Sequence, residues 1–169
     1  MRKSLLSSLV LPVLAALVLA GCSPAYNWRD YNSPDAPYQA MFPDKPVSHK
    51  RSINLDGLTV DMTMTAAEID GTVFAIGSAE APDAAQAQAA VAAMRTAMIK
   101  NIGATVTREE KKDAAIHIDA KGMQNGAPMR LVGHFESRGT RFYQVIVMGK
   151  ENNVPQDEVD MFMSSFKLN

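Results

Sequence analysis

The chain has 169 residues, 47% of them hydrophobic and 21% charged, with 17 Lys+Arg against 18 Asp+Glu, a net charge of −1 and one cysteine. No basic patch stands out, which argues against nucleic-acid binding. A lone cysteine rules out an internal disulfide and a paired-cysteine metal knuckle, so the protein must fold on packing alone.

Arg2 and Lys3 open the chain, and Leu5 to Ala20 carries no charge. A charged start, an apolar middle and small residues before a break are the layout of a secretory signal. The apolar run, about 16 residues, falls short of the roughly 20 needed to span a bilayer as a helix. It ends in Leu19-Ala20-Gly21-Cys22. This ending resembles the lipobox of bacterial lipoproteins. The resemblance implies removal of residues 1–21 and lipidation of Cys22, with diacylglycerol on the sulfur and a third acyl chain on the new amine. Each buried methylene contributes about 0.8 kcal/mol, so two or three chains hold lastingly where one does not. Ser23 follows the cysteine where lipoproteins kept at the inner membrane often carry Asp. By the same resemblance the expected location is the outer membrane, lipid-anchored on its periplasmic face. Cleavage takes away Arg2 and Lys3 and no acid, which moves the net charge to about −3.

Residues 22–37 are expected to be the lipidated N-terminus and a tether, rich in Pro, Asn, Asp and Ser. Tyr26, Trp28 and Tyr31 sit oddly in a spacer, and either pack on the domain or engage the membrane interface or a partner. Residues 38–169 are expected to form a single domain, and the roughly 150 residues expected after cleavage can bury roughly 68–70% of their unfolded surface.

From Tyr38 onward strands and turns dominate. Asp56-Gly57 separates Ser48–Leu55 from Leu58–Ala67, and Asp70-Gly71 precedes Thr72–Ala79; Asp-Gly between alternating runs is a strong hairpin signal. Asp83 with Gln86 three residues on forms a capping box for a helix. Its stripe is Ala87, Val91, Met94, Met98 and Ile102, closed by Gly103. Four strands follow, Ala104–Arg108, Ala114–Lys121, Pro128–Ser137 and Thr140–Met148, with the charged run Glu109-Glu110-Lys111-Lys112 read as a solvated turn. Pro155 opens a last helix lined by Val159, Phe162, Met163 and Phe166. The order gives an α+β domain: an antiparallel sheet of about six to seven strands with two main helices packed on it.

The segments YQAMFPDKPVSHKRS and FMSSFKL resemble the edges of the PsbP/DcrB-like family, over Tyr38 to Leu168. The resemblance implies an α/β/α sandwich and, since members are accessory and envelope proteins, a role without catalysis. It assigns no site residue.

Register supplies the one candidate constellation. With Asn125-Gly126 as a two-residue turn, His117 lies opposite His134; with Arg138-Gly139 as the next, Tyr143 lies beside His134 and Glu136 faces Arg141. Two cross-strand imidazoles could share a metal ion, Zn or Cu, with Asp119 or Glu136 to complete the set; the alternative is a polar row with neutral histidines. The pair Met62 and Met64 could offer thioethers to Cu(I) or fill the core. No nucleophile stands beside the histidines, and no phosphate loop, dinucleotide fingerprint or nucleophile elbow is present. The expected function is therefore that of a non-catalytic binding or scaffolding lipoprotein of the envelope, with no cofactor. Its partners would be the membrane through Cys22 and an envelope protein; a metal-binding protein using His117 and His134 is the alternative.

Overall fold

The computed structural model describes residues 25–169; the expected signal, residues 1–21, and the expected lipidation site Cys22 lie outside them. Seven strands form one antiparallel sheet in the order β3-β4-β5-β9-β8-β7-β6. They are β3 (Val47–Leu55), β4 (Leu58–Ile69), β5 (Thr72–Glu80), β6 (Thr105–Lys112), β7 (Ala115–Gln124), β8 (Ala127–Arg138) and β9 (Arg141–Lys150). A second sheet of three short strands, β1 (Arg29–Asn32), β2 (Tyr38–Phe42) and β10 (Lys167–Leu168), packs with helix α2 (Gln156–Ser165) on one face. Helix α1 (Ala84–Asn101) covers the other. The α+β expectation of two helices on an antiparallel sheet holds.

Local chemistry accounts for the elements. Asp56-Gly57, Asp70-Gly71 and Asn125-Gly126 each place both residues at positive φ, which suits the right-handed twist of a tight hairpin. At α1 the Asp83 carboxylate accepts from the Gln86 backbone N–H and side-chain amide, both at 2.8 Å. Its C-terminus closes with Gly103 at φ +54, whose N–H donates to Lys100 O at 3.1 Å while Ala104 N–H donates to Ile99 O at 2.9 Å, the two bonds of a Schellman cap.

Alternation divides the core in two. Met62, Ile118, Leu131, Phe135, Phe142 and Ile146 face α1, while Phe74, Ile76, Tyr143, Val145 and Val147 face α2 and the small sheet. Met62 and Met64 lie on the α1 side, Met62 buried and Met64 packed against it, accepting a contact from the Gln144 amide at 3.4 Å. They fill space.

Of the two readings of Tyr26, Trp28 and Tyr31, packing on the domain is the one realised: all three lie against the second core, and β1 pairs with β2, so the folded unit takes in residues before 38. Aromatic burial and one ladder hold them. Two expectations are corrected. The run Glu109–Lys112 is not a turn but the end of edge strand β6, paired from Glu109↔Ile118 to Lys112↔Ala115. An edge strand with one solvated face can be fully charged, and Asp113, at φ +54, makes the turn instead. Finally, the β8–β9 turn is Gly139-Thr140, with Arg138 opposite Arg141. Tyr143 therefore sits beside Glu136, not His134, and Arg141 pairs with Glu80 at 3.1 Å rather than with Glu136. Gly139 at φ +61 suits the first position of a Gly-first hairpin turn. The shift is by two residues, so every side chain keeps its face.

Candidate functional site

The expected histidine pair forms. His117 on β7 lies directly opposite His134 on β8. The two rings are 4.3 Å apart between centroids, with His134 Nδ1 3.1 Å from His117 Nε2 and 3.3 Å from its Nδ1. That spacing fits one shared N–H···N hydrogen bond between neutral rings. His117 is exposed, and His134 is half-buried with Phe166 at 5.8 Å. Partial burial, then the neighbouring His134, holds the His117 pKa below its ordinary value.

Acidic groups flank the pair. Glu136 Oε1 is 3.4 Å from His134 Nε2, a separation without hydrogen-bond geometry, so that buried nitrogen has no partner. Glu110 on β6 lies opposite His117 in register, which completes the row Glu110–His117–His134 across three strands. Asp119, the other expected ligand, is engaged elsewhere: Arg130 grips it through Nε at 3.1 Å and Nη2 at 2.6 Å, and reaches Gln156 at 2.7 Å. Among the described residues, no group of three or more His, Cys, Asp or Glu is placed to hold a metal ion. His117 and His134 are thus brought together, while Asp119 and Tyr143 stand apart from them.

A second feature was not legible in the sequence. A polar cleft of about 250 Å³ opens beside β3, β4, β5 and β9, ringed by Asp35, Lys50, Asp61, Glu80 and Arg141, with Thr63 and Ser78 on its floor. It gathers residues from 35 to 141, and only the sheet order brings them together. Arg141 binds Glu80 at its rim and reaches the Asp35 carbonyl at 3.5 Å. Among the described residues, no histidine or cysteine lines it.

No helix among the described residues is long and apolar enough to cross a membrane. No family model matches the chain, and no curated protein matches it. Among solved structures, a protein from Bacteroides thetaiotaomicron aligns over 83% of this chain at 12% identity with a TM-score of 0.47. This chain spans 48% of that protein's length. A protein of unknown function from Pseudomonas aeruginosa, described as a putative regulator, aligns over 66% of this chain and 90% of its own at 13% identity, with a TM-score of 0.39.

Proposed function

We propose that this chain is a lipid-anchored protein of the bacterial envelope, held at the periplasmic face of the outer membrane by acyl chains on Cys22, whose PsbP/DcrB-like domain binds a partner rather than catalysing a reaction. The observation that carries the reading is the run Leu19-Ala20-Gly21-Cys22 after an uncharged stretch. The structure supports it in one respect: core covers the α1 side of the sheet and, on the other side, β4, β5 and β9, so recognition falls to surface clefts and to the open face of β6 and β7. Intact-mass analysis of the protein extracted from membranes tests the anchor. A mass carrying acyl chains on Cys22, and release of Cys22→Ser to the soluble fraction, are expected; an uncut leader or a bare thiol refutes it. Affinity capture from solubilised membranes tests the binding role, and a folded domain that returns no stoichiometric envelope protein overturns that half.

One observation favours a second reading, metal binding at the histidine row. In a tetrahedral zinc site two nitrogens at about 2.0–2.1 Å from the metal lie roughly 3.3 Å apart, close to the 3.3 Å between the two Nδ1 atoms. Glu136 stands behind His134 Nε2, where a ligating histidine usually finds a carboxylate. Calorimetric titration of residues 25–169 with Zn²⁺ and Cu²⁺ separates the readings. Binding lost in His134→Ala supports a metal site; no heat in the parent protein removes it.

A further inference from the structure

Resting on the acylation of Cys22 proposed above, we infer that the domain stands end-on against the leaflet. The headgroups meet the end of the sheet that carries the Asp70-Gly71 and Asn125-Gly126 turns and Glu151–Asn153. The partner of this surface is a phospholipid headgroup layer.

The chain enters the fold at that end and is fixed there. Tyr26 and Trp28 meet Phe74 edge-on at 6.2 and 6.1 Å, and Phe74 is the third residue of β5, just after the Asp70-Gly71 turn. Asn27 N–H donates to Pro43 O at 2.7 Å, and Trp28 Nε1–H donates to Glu158 at 3.0 Å, near the start of α2. β1 then climbs away, and by Asp35 the chain has reached Arg141, at the start of β9 on the opposite end.

Length excludes the inverted orientation. Three residues, Ser23, Pro24 and Ala25, separate Cys22 from Tyr26, and the four steps make a leash of at most about 14 Å. β8 has 12 residues, about 40 Å of strand. A leash about a third of the domain's length cannot turn the far end to the leaflet. Charge is mixed at both ends, with Asp56, Asp83 and Asp113 exposed at the far connections and Asp70, Lys121 and Lys150 exposed at the near one, so apolar exposure is what distinguishes them. The near end exposes Met123, 57% accessible, beside the β7–β8 turn. His117, three residues into β7 from the Asp113-Ala114 turn, and the cleft at Arg141 both lie toward the far end. They face away from the lipid, open to whatever approaches from the aqueous side.

The test uses the full lipidated chain in phosphatidylethanolamine–phosphatidylglycerol vesicles with an acceptor dye on the headgroups. With Cys22 acylated, Met123→Cys and Ala114→Cys each supply one thiol for a donor dye. Transfer from position 123 is expected to exceed that from 114 several-fold, and to fall when a 20-residue Gly-Ser spacer is inserted after Ser23. Trp28, the one tryptophan, gives a reading without substitution: nitroxide headgroups should quench it in the parent chain and much less behind the spacer. Equal transfer from 123 and 114, more from 114, or no spacer effect overturns the orientation. Intact mass measured on the same samples keeps the two claims apart. An acylated protein with equal transfer sinks the orientation alone; a protein without acyl chains sinks the Cys22 reading and this inference with it.

Discussion

Replacing Trp28 by Ala tests whether the first strand belongs to the folded unit or is a removable arm. The indole stacks with Tyr26 at 6.3 Å, meets Phe74 at 6.1 Å and donates to Glu158 at 3.0 Å. Removing a fully buried large aromatic costs about 3–5 kcal/mol. Trp28 sits half-buried at the rim of its cluster, so about 2 kcal/mol of that applies, and the lost hydrogen bond adds about 1 kcal/mol. A total of about 3 kcal/mol is roughly a hundredfold in an opening equilibrium. β1 has four residues and pairs with β2, so the loss should open the arm and leave the seven-stranded sheet closed. Hydrogen exchange of the amides of residues 29–32 should therefore quicken by about 100-fold, with β8 and β9 unchanged. Glu158→Gln keeps an acceptor and should quicken it by about tenfold at most. Undiminished protection in β1 would refute the argument, as would equal acceleration across the whole sheet.

Three further outcomes are expected. Gly122→Ala would place a methyl 2.4 Å from Ile102 O and 3.0 Å from Ala104 Cα. These are backbone atoms of the α1 cap that cannot step aside, so urea denaturation should show a loss of about 2–3 kcal/mol, against about 0.5 kcal/mol or less for exposed Lys121→Ala. The depressed His117 pKa means the unfolded chain takes up its proton first as pH falls. Stability contributed by neutral His117 is thus complete above the unfolded value near 6.5 and is lost as pH drops from there through the folded pKa; His117→Ala should flatten that segment of the stability–pH curve. Burial pushes Tyr38 up to about 12, so its stabilisation is complete below the ordinary value of 10.0 and is lost as pH rises from there toward 12. Alkaline unfolding should be shallower in Tyr38→Phe, and an unaltered slope would contradict the assignment.

What the sequence disclosed and what it hid follow from the range of the interactions. The three Asp-Gly and Asn-Gly turns and the α1 capping box are written within four residues, and each stands where it was expected. His117↔His134 followed from one such turn. The next register slipped by two because Arg138-Gly139-Thr140 holds a single glycine, and its place in the turn depends on whether it comes first or second. β6 was cut short because Glu109 to Lys112 has no apolar alternation to read; Glu109 instead meets Arg95 of α1 on one face, and Glu110 points to the open side. The small sheet was invisible because its ladders join Gln39 to Lys167 and Tyr38 to Leu168, pairings that no local pattern encodes. Nor could any local pattern show that Tyr31, Ser48, Thr65 and Tyr38 form a chain of hydroxyls that ties β1 and β2 to the main sheet.

Among the described residues the seven-stranded sheet does not close on itself, so β3 and β6 each leave a ladder of peptide groups without a neighbouring strand. β3 presents His49, Lys50 and Arg51 there, and β6 presents Arg108 through Lys112. A second copy that tried to extend the sheet would have to strip water from these charges, at a cost of several kcal/mol per ion where pairing is imperfect. If Cys22 is acylated as proposed, copies are confined to one plane and collide far more often than copies free in three dimensions. Charged margins of this kind let many such molecules crowd side by side without polymerising into fibres.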